Sequence, residues 1–129
     1  MSSGMIIREA HFPGRAPIDA YGNGGFRFAG MSHRGSILCL PSGIHGWQPS
    51  DPEDLREEDL AKVLAEAVGI EVLLVGMGRD LRRLPTPLRQ TLRDAGLSAD
   101  SMSTGSAVRT YNVLLAEERA VAAALVAVE

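Results

Sequence analysis

Cysteine, tryptophan and lysine are nearly missing from this 129-residue chain, which has one of each: Cys39, Trp47 and Lys62. A single cysteine excludes any intrachain disulfide and fits a reducing compartment. Long apolar runs are missing too. Val72–Val75 and Val121–Val128 are the strongest candidates, and both fall far short of the roughly 18 residues a membrane-spanning helix needs. The opening residues Met1–Gly4 carry no charged segment leading into an apolar one, so the expectation is a cytoplasmic protein that is not exported. An excess of basic charge is lacking: the formal net charge is −3, which argues against general nucleic-acid binding through a basic surface. No repeat period and no low-complexity segment appear, so solenoids and propellers are set aside. What remains is an ordinary globular composition, 45% hydrophobic and 22% charged, expected to fold as a single domain over residues 1–129.

The charge is segregated. Asp51, Glu53, Asp54, Glu57, Glu58, Asp59 and Glu66 face only Arg56 and Lys62 in one stretch, and Arg79, Arg82, Arg83, Arg89 and Arg93 face only Asp80 and Asp94 in the next. Such a basic cluster suits an anion or an acidic partner, and its plainer reading is a solvated helix flank.

The chain changes character near Asp51, giving an N-terminal β-rich part at about 5–41, a loop at 42–53 and an α/β part at about 54–128. Short strands are expected at Met5–Ile7 and Ala16–Tyr21, with Gly22-Asn23-Gly24-Gly25 as a hairpin turn into Phe26–Ala29. Gly35–Leu40 reads as a strand buried on both faces and ended by Pro41. Pro41–Pro49 reads as a loop. Asp54 and Glu57 have capping-box spacing. Leu60, Val63, Leu64, Ala67 and Val68 make one apolar helical stripe stopped by Gly69. Val72–Val75 reads as a central parallel strand, Thr86-Pro87 opens a helix, and Ser98–Met102 is a short strand. The last helical stretch is expected to run from Ser103 or Thr104 through Tyr111 and Leu115 to Val128. Strands alternating with helices after a hairpin imply an α/β layer fold with a mixed sheet.

In such folds ligands gather beyond the carboxyl ends of parallel strands. Two segments fall there: Gly76-Met77-Gly78-Arg79 and Thr104–Asn112. Glycines admit close backbone approach, and a helix start offers unpaired N–H groups to an anion. Gly76, Gly78, Arg79, Thr104, Ser106, Arg109 and Asn112 are therefore the candidate ligand-binding residues, with Arg109 neutralising the anion. The competing reading is structural: the glycines form a tight exit turn, Thr104 caps a helix, and Arg109 and Asn112 close internal hydrogen bonds. Leu81 stands where a dinucleotide fingerprint needs its third glycine. Cys39, between Leu38 and Leu40, reads as an inert buried thiol. His11, His33 and His45 lack zinc-site spacing, so no metal and no cofactor are expected. His45 and Trp47 mark the Gly43–Pro49 loop as a candidate interaction surface.

Several segments together resemble a known family: Gly24-Gly25-Phe26, Gly35-Ser36-Ile37, Glu71–Gly78, Thr104–Leu114 with its Arg109-Thr110-Tyr111-Asn112 core, and Glu117–Leu125. They resemble the domain-of-unknown-function family whose eukaryotic members include mitochondrial complex I assembly factor 3 and the adipogenesis-associated domain protein. The resemblance spans nearly the whole chain, with Arg-Thr-Tyr-Asn its most specific part. It implies a three-layer α/β fold with a five-stranded mixed central sheet and an added β element, and no agreed catalytic activity. It also implies work through protein contacts. Two positions depart from the family pattern: Met77 replaces a threonine in the strand-exit turn, and Val108 replaces a cysteine before the arginine. Covalent thiol chemistry at position 108 is thereby excluded.

Two functions of different classes follow. The first is a non-enzymatic interaction or assembly factor with an unidentified protein partner. It would dock through the Gly43–Pro49 loop with an exposed Trp47, or through the arginine cluster. The second is a small-molecule or anion-binding protein, with or without enzymatic activity, with a pocket between Gly76–Arg79 and Thr104–Asn112. Monomer and homodimer both remain open, since an uncovered β edge is able to pair two copies.

Overall fold

A computed structural model describes residues 12–129, and the strand expected at Met5–Ile7 lies outside them. Nine strands and three helices follow in chain order among the described residues. They are β1 (Phe12–Pro13), β2 (Ile18–Gly22), β3 (Gly25–Phe28), β4 (Met31–Arg34), β5 (Ser36–Leu40), β6 (Gly43–Trp47), α1 (Ala61–Ala65), β7 (Val72–Gly76), α2 (Thr86–Asp94), β8 (Ser98–Met102), α3 (Thr104–Ala116) and β9 (Val121–Leu125). Short 3-10 turns at Pro52–Asp54, Glu57–Leu60 and Ala67–Gly69 surround α1.

Local chemistry accounts for the first hairpin. Asn23 and Gly24 take φ of 53° and 79°, and two left-handed residues between Gly22 and Gly25 let the turn match the twist of its strands. β2, β3 and β4 form a separate three-stranded antiparallel sheet. The larger sheet has the order β1-β6-β5-β9-β7-β8. β5 is antiparallel to β6 and β9, whereas β7 is parallel to β8 and β9, so the sheet is mixed.

Side-chain alternation along these strands feeds two cores. On one face Leu38, Leu40, Leu73, Val75, Ala122 and Ala124 pack with Leu60, Val63, Leu84, Leu88 and Leu92 from the α1 and α2 side. On the other face Ile37, Cys39, Leu74, Ala123 and Leu125 pack with Ala107, Val108 and Tyr111 of α3 and with Phe26 and Phe28 of the small sheet. The fold is thus a three-layer α/β arrangement with an added β element. Its central sheet holds five longer strands plus the two-residue β1, one more than the five expected.

Four local expectations change. Val121–Leu125 is a strand and not the end of a long helix. α3 stops at Ala116, and Glu118 takes a φ of 62° that no helix continues through. Gly43–Trp47 is β6 and not a loop, because β5 and β1 satisfy its backbone on both sides. The stripe from Leu60 to Val68 breaks into turns around the five-residue α1; Leu60 and Val63 are buried, but Val68 is fully exposed. The expected capping box is displaced too. The Asp51 carboxylate accepts from the Glu53 N–H, and the Asp59 carboxylate accepts from the Arg56 N–H.

Ala123 faces Cys39 on one neighbouring strand and Leu74 on the other, with no solvent exposure. Ala123→Leu should therefore overpack the layer beneath α3 and cost about 1–3 kcal/mol. Urea unfolding monitored by circular dichroism checks this, with a lowered midpoint expected.

Candidate functional site

The two glycine-bearing segments do meet, and they meet as packed backbone. Gly76 ends β7 where a Cβ would stand 2.9 Å from Thr104 Cα and 3.0 Å from Leu125 Cδ2. Beyond it Gly78, at φ +97°, turns the chain back. The Thr104 N–H donates to the Gly78 carbonyl at 2.7 Å, and the Gly78 N–H donates to Thr104 Oγ1 at 3.0 Å. The same hydroxyl donates to the Val126 carbonyl at 2.6 Å, and the Val126 N–H returns to the Gly76 carbonyl at 2.9 Å. One buried threonine thereby ties the exit of β7, the start of α3 and the end of β9 into a closed ring of bonds.

The other candidates fall into place around that ring. Ser103, not Thr104, caps α3: its hydroxyl accepts from the Ser106 N–H at 3.2 Å and donates to Ser106 Oγ at 3.1 Å. Arg109 is exposed on α3 and donates from Nη2 to Ser106 Oγ at 3.4 Å. Asn112 faces β2, accepting from the Ile18 N–H and donating to the Ile18 carbonyl, both at 2.9 Å. A Cβ on Gly105 would collide with the Tyr21 hydroxyl, so the small sheet covers that residue.

Arg79 lies on the far side of the turn. It lines a shallow cleft of about 230 Å³ with Ser50, Asp51, Pro52, Asp80, Arg82 and Glu129, and no α3 residue lines that cleft. The geometry therefore brings Gly76, Gly78 and Thr104 together, holds Ser106 and Arg109 as a neighbouring pair, keeps Arg79 beside Gly78 in a cleft that α3 does not line, and turns Asn112 to β2. The physical reason is the Thr104 hydroxyl, which engages the Gly78 amide that an anion would have needed.

The other singled-out residues resolve in the same structural direction. Trp47 is 9% exposed, not a displayed surface group, and its Nε1–H donates to the Asp59 carbonyl at 2.8 Å. His45 Nε2 lies 2.9 Å from Ser42 Oγ, and that hydroxyl donates to Glu66 Oε2 at 2.5 Å. The imidazole must then donate to the serine. The serine proton points at the carboxylate, which is the wrong order for activating a nucleophile. Sequence reasoning missed this link because Glu66 lies 24 positions away on the far side of α1. Cys39 is buried and hydrogen-bonded with Tyr111. Burial pushes its thiol up to about 12 despite that bond, so it stays protonated at neutral pH. Among the described residues no group of three or more His, Cys, Asp or Glu is placed to hold a metal ion. No helix among them is long and apolar enough to cross a membrane.

Fold and bonding together define a three-layer α/β protein with a mixed sheet, a hairpin sheet on one face and a strand-exit turn sealed by a threonine. The chain belongs to the family described as "Protein of unknown function (DUF498/DUF598)", whose model matches residues 18–126. A crystal structure described as an outer membrane protein from Bartonella henselae is 65% identical, covers 92% of this chain and all of its own, and superposes with a TM-score of 0.89. An uncharacterised protein of Rhodobacter capsulatus is 46% identical over 94% of this chain and 92% of its own length. The mouse NADH dehydrogenase [ubiquinone] 1 alpha subcomplex assembly factor 3 is 30% identical over 95% of this chain. The chain spans 66% of that mouse protein's length.

Thr104→Val should leave the Gly78 N–H and the Val126 carbonyl without partners and cost on the order of 2–4 kcal/mol. Thr104→Ser keeps both bonds and should cost about 1 kcal/mol; chemical denaturation of the pair measures the difference. A second outcome concerns His33 on β4, whose Nε2–H donates to the Ser36 carbonyl at 3.2 Å while Nδ1 is buried without a partner. Burial holds its pKa below the ordinary value, outweighing that backbone bond. The unfolded chain takes up this proton near pH 6.5, before the folded chain does, so the stability is present above about pH 6.5 and is lost as pH falls toward the folded pKa. His33→Asn should flatten that loss relative to wild type in unfolding curves collected between about pH 7.5 and 5.

Proposed function

We propose that this chain is a non-enzymatic interaction factor, like the assembly factors among its relatives, and that it docks an acidic partner through the arginine-bearing segment from Arg79 to Arg93. The observation that carries the reading is an unneutralised cationic surface. Arg79, Arg83, Arg89 and Arg93 are exposed and their guanidiniums take part in no hydrogen bond or ion pair among the described residues, while Arg82 alone pairs with Glu53 at 2.9 Å. Leu88 and Leu92 turn α2 inward, so Arg89 and Arg93, one helical turn apart, stand together outside. Leu81, 72% exposed, adds an apolar anchor in the loop before α2. Guanidiniums beside one exposed leucine suit a carboxylate-rich protein segment carrying an apolar side chain.

The Gly43–Pro49 segment, most of it β6, offers less to this role because its tryptophan is buried in the α1 core. The alternative of an anion pocket between Gly76–Arg79 and Thr104–Asn112 gains nothing from a turn whose Gly78 amide and Thr104 hydroxyl are both engaged. A cytoplasmic setting is part of the same proposal and rests on the reduced, buried Cys39.

Tagged wild-type protein cross-linked in a native extract should capture an acidic protein in constant ratio, and high salt should release it before cross-linking. The double variant Arg83→Glu, Arg89→Glu should weaken that capture roughly tenfold, and Leu81→Ser should weaken it independently. Equal capture by wild type and both variants, or no partner at all, overturns the proposal.

A further inference from the structure

The outer face of the small sheet carries a second basic feature, separate from the arginine segment. Registry places Ala20, Arg27 and Ser32 in one cross-strand row, and Gly22, Gly25 and Arg34 in the next. Alternation puts both rows on one face, opposite the buried Phe26 and Phe28. Four of these six positions are glycine, alanine or serine, so the face sinks between its two arginines. The result is an open cleft of about 430 Å³ floored by strand backbone, within the size range of small-molecule sites.

Its electrostatics are one-sided. The charged side chains of the lining are Arg27 and Arg34, with no carboxylate, while the His33 ring, in register with Phe26, is held by the Ser36 carbonyl. Neither guanidinium has an ion-pair or hydrogen-bond partner among the described residues. Arg27 and Arg34 are diagonal neighbours on adjacent strands, near enough for long side chains to reach a common point, and two like charges there repel unless an anion lies between them. Ser32 and Asn23 supply uncharged polar groups in the same cleft. One acid approaches the hairpin end: a Cβ on Gly24 would stand 3.5 Å from Glu129 Oε2 and 4.0 Å from Arg34 Nη1. That carboxylate forms no ion pair with Arg34, yet it shows that the rim accommodates an anionic oxygen beside the guanidinium.

We propose that this cleft is a binding site for a small molecule bearing two neighbouring anionic groups, each held by the planar fork of one guanidinium, Arg27 or Arg34. Guanidinium forks match phosphate and carboxylate alike. A diphosphate and a dicarboxylate therefore share the recognition chemistry, and the remainder of the ligand lies over Ala20 and the glycine-rich end of the hairpin. The site does not depend on the docking proposal, since no residue from Arg79 to Arg93 lines it.

The test titrates isotopically labelled full-length protein with sodium pyrophosphate and, separately, with sodium malonate, at constant ionic strength. Saturable amide shifts centred on Gly22–Gly25, Arg27, Ser32 and Arg34 are expected for at least one probe, and the probe that binds identifies the anion type. Arg27→Ala and Arg34→Ala should each weaken that binding at least roughly fivefold. Arg27→Lys, which keeps the charge but loses the fork, should fall between them and wild type. Glu129→Gln should tighten binding by removing a competing carboxylate, and Arg89→Ala should leave it unchanged. Both arginines are surface residues, and unchanged Tm values for their variants separate lost binding from lost folding. The proposal is overturned if neither probe binds, if shifts map to Arg79–Arg93, or if Arg89→Ala weakens binding as much as Arg27→Ala.

Discussion

The fold depends on how closely one strand lets its neighbours approach. β9 carries three consecutive alanines at its centre, none with any solvent exposure, and it is the seam at which the antiparallel half of the sheet meets the parallel half. Ala123 faces α3 and the small sheet, whereas Ala122 and Ala124 face the layer of α1 and α2. Small side chains on both faces allow α3 to settle over β7 and β9. The start of that helix then reaches the backbone of both strands through a single threonine hydroxyl. Larger residues in β9 would lift the helix, and the bonds of Thr104 could not form.

That same strand explains where sequence reading fails. Val121–Leu125 is rich in alanine, a residue at home in a helix, and its apolar spacing continues the helical stripe of α3. What decides the outcome is tertiary: flanking strands on both sides and a left-handed break at Glu118. β6 was obscured in another way. Two glycines and a histidine between prolines mimic a loop, and only pairing with β1 and β5 makes them a strand. The elements that were legible carry their own local chemistry: the Asn23–Gly24 hairpin, the apolar run of β5, and the Thr86–Pro87 opening of α2. The family resemblance supplied the layer count that periodicity alone could not.

The candidate site was legible as a meeting of segments and illegible as chemistry. Glycines and a helix start after a parallel strand describe an anion cradle and a sealed turn equally well. The difference lies in where the Thr104 hydroxyl points, which no spacing encodes. Asn112 makes the same point, because its partner Ile18 lies 94 residues away. The basic face of the small sheet escaped notice because Arg27 and Arg34 become neighbours only through strand registry. The unpaired guanidiniums among the described residues, by contrast, all lie on the surface, outside both packed cores.

Asn112 has one more consequence. β2 is an edge of the small sheet, and the Asn112 amide occupies both the N–H and the carbonyl of Ile18, as a neighbouring strand would. A side chain therefore stands in for a missing strand and blocks that end of the rim against an invading chain. The hairpin is guarded against templated aggregation by the same amide that fastens it to α3.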